Sequence, residues 1–150
     1  MDHADIVKTI NNLIETCKDG EYGFSTSAEH VKGAQVKQQF MDRAKDCRLA
    51  ASQLKSLVTQ YGGSAEDGGS ATGAMHRGWV AVKGTLSGYT DLAILEETER
   101  GEDVALSAYR KALEGDLPND VRSVIQTQLE GVKRNHDQVR RLRDQARNTA

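Results

Sequence analysis

The stretch Leu95-Glu96-Glu97-Thr98-Glu99-Arg100-Gly101-Glu102-Asp103 gathers carboxylates inside what otherwise reads as an amphipathic helix. On either side of it Leu92, Leu95, Leu106, Tyr109 and Leu113 recur at spacings of three, four and seven, the period of a helix with one apolar face. Carrying that stripe through the cluster places Glu96, Glu99 and Glu102 or Asp103 at inward positions. An unpaired charge costs several kcal/mol to bury, or shifts its pKa toward neutrality. Such a helix therefore needs partners, and the rest of the chain must supply them.

Composition agrees with a helical fold. The chain has 150 residues, one proline and few aromatics, and it is rich in Ala, Leu, Gln, Glu, Lys and Arg. That length suits a single domain with one core, covering residues 1–150. A net charge of −2 gives no electrostatic reason to expect nucleic acid or an acidic membrane as partner. No apolar run approaches the ~20 residues needed to span a bilayer, and the N-terminus lacks the basic and apolar regions of a signal peptide. Cys17 and Cys47 are too few for a secreted disulfide scaffold, so a reduced, cytoplasmic setting is expected.

Outward from the acidic cluster, the periodicity predicts a helix over about 5–31, with Ile6, Ile10, Leu13, Cys17, Phe24 and Ala28 on one face. Gly33 is expected to end it as a left-handed stop. A second helix over 34–61 carries Phe40, Ala44, Cys47, Ala51, Leu54 and Val58 inward and stops at Gly62-Gly63. So short a link predicts an antiparallel hairpin. Residues 64–70 read as a Gly/Ser/acidic connection, and a shorter helix over 71–86 contains Met75-His76-Arg77-Gly78-Trp79. Thr90 is a good N-cap for the helix over 91–114, and Pro118 suits the first turn of the last helix, 118–147. That helix has the stripe Val121, Val124, Gln128, Val132, His136, Val139 and Leu142, and its basic run reads as a solvated face. Two long hairpins joined by a crossover with its own short helix predict an all-α, ferritin-like four-helix bundle.

In that topology helical rise puts Glu21, Glu96, Glu99 and His136 at about one height, as one polar layer. One reading is a metal site. Di-iron and di-manganese bundles use a Glu from each of two helices and a Glu-x-x-His from each of the others. Glu21 and Glu99 stand where the lone glutamates would be, and His136 where a histidine would be; carboxylates and imidazole suit iron, manganese or zinc. The rest of the pattern is missing. Lys133 occupies the glutamate position before His136, and the helix over 34–61 has neither His nor Glu. A complete two-metal site is therefore not expected. The preferred reading is a buried ionic network in which Arg43, Lys133 or His136 neutralises the glutamates. A mononuclear site of Glu21, Glu96, Glu99 and His136 is the alternative.

Cys17 and Cys47 come level on facing stripes and read as two small buried hydrophobes rather than a redox pair. Trp79 is expected to pack the crossover onto the bundle. No phosphate loop, nucleophile elbow, Cys-x-x-Cys or Glu-x-x-His occurs, and no catalytic residue is expected.

With these residues laid out, the chain resembles a family of uncharacterised bacterial four-helix-bundle proteins, domain of unknown function 2383. The segments that carry the resemblance are Leu13 to Phe24, Ala74-Met75-His76-Arg77-Gly78-Trp79, the Leu95–Asp103 cluster and Arg134-Asn135-His136-Asp137. The resemblance implies a ferritin-like bundle and brings no activity or substrate. The expected function is a non-enzymatic structural or interaction protein, stress-related by analogy with ferritin-like relatives, and a homo-oligomer. The alternative is a metal-binding protein or oxidoreductase with an incomplete carboxylate/His site.

Overall fold

The structure, a computed structural model, describes residues 2–65 and 90–149. The expected crossover helix, with His76, Arg77 and Trp79, lies outside the described residues. Four helices form among the described residues: α1 (His3–His30), α2 (Ala34–Gln60), α3 (Asp91–Leu113) and α4 (Asn119–Thr149). They make two antiparallel hairpins, α1–α2 and α3–α4, packed side by side; between the hairpins α1 meets α3 closely, while α2 and α4 touch little.

Local chemistry sets the helix ends. The Asp2 carboxylate accepts from the Asp5 amide at 2.8 Å, and Thr90 Oγ1 accepts from the Ala93 amide at 3.1 Å. At the end of α2, Gly62 takes φ +79° and its N–H reaches Thr59 O at 3.0 Å, while the Gly63 N–H reaches Val58 O at 3.0 Å. That double closure needs a residue that tolerates the left-handed region, and glycine does. Gly33 behaves differently from the expectation. It is extended, at φ −69° and ψ 128°, so it is no left-handed stop. Its value is close approach: a Cβ there would lie 3.2 Å from Asp91 Oδ2. The Asp91 carboxylate accepts from both the Lys32 and Gly33 amides, at 2.8 and 2.9 Å, and so caps α2, which has no side-chain cap of its own. At the opposite end Arg122 donates to the Leu113 and Gly115 carbonyls, at 3.0 and 2.6 Å, closing α3.

The apolar residues fall into two clusters along the bundle. One holds Ile10, Leu13, Leu54, Val58, Val121 and Ile125 among others, and the second is built on Phe24, Phe40, Ile94, Leu95 and Val139. Full burial of each such side chain contributes roughly 1.5–3 kcal/mol. In the second cluster Phe24 and Phe40 meet at 5.4 Å between ring centroids. Between the clusters, in chain order on every helix, come Gly20, Cys47, Glu102 and Asn135, all buried.

Candidate functional site

Helix α3 decides which carboxylate enters the core. Its buried residues Leu95, Thr98, Glu102, Leu106 and Tyr109 follow spacings of three and four, which puts Glu102 inward and leaves Glu99 at the edge. Glu102 is 2 % exposed. Its Oε1 accepts from Arg43 Nε at 2.9 Å and from Asn135 Nδ2 at 3.2 Å. Asn135 is held in turn, its Oδ1 accepting from Gln39 Nε2 at 2.7 Å. Arg43 also lies over Phe24, 5.9 Å from the ring centroid. Burial by itself would weaken the Arg43 cation, but the Glu102 charge, helped by Cys47 and the hydrogen bond, moves its pKa upward. Both donors converge on one carboxylate oxygen. The other, Oε2, is buried with no hydrogen-bond partner among the described residues.

About two turns away a second polar string touches all four helices. Cys17 Sγ lies 3.2 Å from the Tyr109 hydroxyl, which donates to Gln128 Oε1 at 2.7 Å. Gln128 Nε2 then reaches the Ala50 carbonyl at 3.3 Å and Gln53 Oε1 at 3.0 Å. Burial pushes the Cys17 thiol up to about 11, against a smaller opposing effect of the Tyr109 hydrogen bond, and pushes the Cys47 thiol and Tyr109 hydroxyl up as well. Both cysteines are free and buried. Neutral thiols are poor nucleophiles, so neither is set up as an attacking thiolate.

A cavity of about 310 Å³ opens in the middle of the bundle, where α2 and α4 barely meet. Cys17, Cys47, Glu102 and Tyr109 line its interior, and Leu49 and Val104 its rim.

The residues proposed as one polar layer do not come together as a group of four. Glu21 pairs with Arg48 at 3.5 Å across the α1–α2 hairpin. Glu96, half exposed, pairs with Arg147 at 3.2 Å. Glu99 pairs with Arg143 and lies 3.9 Å from His136 Nε2, so only these two of the four meet. His136 bonds Asp103 Oδ1 at 2.7 Å. Arg43 does sit in a buried ion pair, with Glu102 rather than with Glu21 or Glu99, and among the described residues Lys133 pairs with none of these carboxylates. The expected solvated basic face holds for Arg134, Arg140 and Arg141, whereas Arg143 folds back onto Glu99.

The fold family implies a carboxylate-bound metal pair, and the donor set does not fit one. Glu21, Glu96, Glu99 and Glu102 each have an arginine as counter-ion, and a guanidinium in the core opposes a second cation beside it. No group of three or more His, Cys, Asp or Glu side chains among the described residues is arranged to hold a metal ion. The sequence reading missed Asn135 and the arginines on the last turns of α4. The first was legible from the three-four spacing through Val132 and Val139. The second depends on long side chains reaching back, which periodicity does not encode.

The family model for the domain of unknown function 2383 matches residues 5–115. A search among curated proteins found no match. Among solved structures the fold is similar to the bacterioferritin-related protein from Bacteroides fragilis, described as a dodecameric thioferritin. The TM-score is 0.77 at 15 % identity, over 99 % of this chain and 90 % of that one. At that identity the likeness is one of fold: the chain is an all-α, ferritin-like four-helix bundle. No described helix is long and apolar enough to cross a membrane.

Proposed function

The chain belongs to the family of the domain of unknown function 2383, and from that membership and its ferritin-like bundle we propose a non-enzymatic structural or interaction protein that works as a cytoplasmic homo-oligomer. The observation that carries this reading is the Arg43–Glu102 pair, 2.9 Å between Nε and Oε1, inside the bundle. A guanidinium there supplies the positive charge that metal ions supply in di-iron and di-manganese bundles, and it does so without an open coordination position for chemistry. The dodecameric assembly of the Bacteroides fragilis protein supports the oligomer, since closed symmetric assemblies are the rule among soluble oligomers.

Metal analysis of protein purified without chelators tests the first part. Substoichiometric iron, manganese and zinc are expected, with no thermal stabilisation when each ion is added. Stoichiometric metal that is lost on Glu99→Ala would overturn the reading in favour of a site around His136, Glu99 and Asp103. Light scattering at micromolar concentration tests the second part, and a monomer would remove the oligomer.

A further inference from the structure

The mid-bundle cavity has Arg43 and Glu102 in its wall, and the rest of its lining says what it would accept. Its volume of about 310 Å³ lies at the small end of ligand pockets, which run from ~300 to ~1,000 Å³. The walls given by Cys47, Ala50, Ala105 and Val132 are neutral and largely apolar. At the rim stand Leu49, 56 % exposed, and Val104, 38 % exposed, two of the three large hydrophobic side chains exposed among the described residues. Charged Asp46 and Arg134 interrupt that rim, so it offers too little continuous apolar surface for a protein partner.

The lining also carries polar groups, and one buried atom among them has no partner among the described residues. Tyr109 has spent its proton on Gln128, and the Gln128 amide is taken by Ala50 and Gln53. Glu102 brings the unmet atom, because Arg43 and Asn135 both bond Oε1 while Oε2 has no partner among the described residues. A bare carboxylate oxygen needs a donor, and one left unmade in the interior is costly. Glu102 stands in the cavity lining, and the terminal torsion of a glutamate is broad enough for its carboxylate to adjust to a donor there. Arg43 already balances the Glu102 charge. Asp19, the other buried carboxylate of the lining, is engaged in an interaction of its own, so the unmet oxygen calls for a hydrogen-bond donor and not for a second cation beside Arg43.

We propose that this cavity binds a small, neutral, largely apolar molecule carrying one hydrogen-bond donor, its body against Cys47, Ala50, Ala105 and Val132 and its donor on Glu102. Indole and benzofuran are suitable probes, since they share a shape and differ in the N–H. Each is titrated into the full chain and followed by amide chemical shifts. Indole is expected to bind saturably, with shifts centred on Cys47, Ala50 and Ala105, and benzofuran about tenfold more weakly. Ala105→Leu and Ala50→Leu fill the cavity from two walls, and each is expected to weaken indole by about tenfold or more. Circular dichroism identifies a variant that fails to fold, and the other then decides. Equal binding of the two probes removes Glu102 as acceptor and overturns the proposal. So does indole binding that survives cavity filling, and so does the absence of saturable indole binding. The probes involve no metal, so this result is separate from the metal analysis.

Discussion

Replacing Arg43 with methionine keeps much of the side-chain length and removes the cation from the bundle interior. Glu102 would then be 2 % exposed with Asn135 as its remaining donor, at 3.2 Å, while Oε2 still has no partner among the described residues. Breaking a buried pair by deleting one member costs roughly 3–5 kcal/mol, most of it the stranded charge. For a domain of this size that is a fall of roughly 6–20 °C in melting temperature, at about 2–4 °C per kcal/mol. Urea unfolding followed by circular dichroism measures the loss. A cost under about 1 kcal/mol would mean that water reaches Glu102 and that the pair is not buried.

Glu21→Gln should change stability by less than about 0.5 kcal/mol, because Glu21 is one-third exposed and its partner Arg48 more so; a loss of several kcal/mol in a urea melt would restore Glu21 to a buried layer. Asp91→Ala removes the acceptor for the Lys32 and Gly33 amides and should cost about 1–2 kcal/mol; a thermal shift within error would refute its role as cap. The Cys17 thiol, raised by burial from 9.0 to about 11, holds its proton more tightly in the folded chain. Its contribution is complete below pH 9.0 and lost as pH rises to about 11, a total of roughly 3 kcal/mol for two units. Cys17→Ala should therefore flatten the alkaline fall in urea midpoint across that window, and an unchanged slope would count against it.

The fold was legible because its signals are local and repeated. Apolar spacing marked each helix, Thr90 marked the start of α3, and Gly62-Gly63 marked the end of α2. The site was legible only in part, for reasons that differ from residue to residue. Carrying a stripe through the acidic cluster put Glu96, Glu99 and either Glu102 or Asp103 inward, and the continuous set Leu95, Thr98, Glu102, Leu106 and Tyr109 selects Glu102 alone. The same displacement on α4 exchanges His136 for Asn135. Arg43 was recognised as a buried cation, but its partner was misassigned because the heights were estimated from rise alone, and an error of a turn moves a contact by about 5.4 Å. The pairing of Glu96 with Arg147 and of Glu99 with Arg143 rests on side chains several ångströms long, whose direction no backbone period specifies.

The string from Cys17 through Tyr109 and Gln128 to Ala50 and Gln53 has a consequence for how the molecule opens. Each helix contributes one link, so parting the α1–α2 hairpin from α3–α4 breaks the string at both ends. The Tyr109 hydroxyl would lose its buried Cys17 contact and the Gln128 amide its bonds to Ala50 and Gln53 in the same step, at about 0.5–1.5 kcal/mol net for each bond. A half-open state with one hairpin intact therefore gains little over complete unfolding. Slow amide exchange in the middle turns of all four helices should share one opening free energy and respond alike to denaturant, so that this half of the bundle behaves as a single cooperative unit.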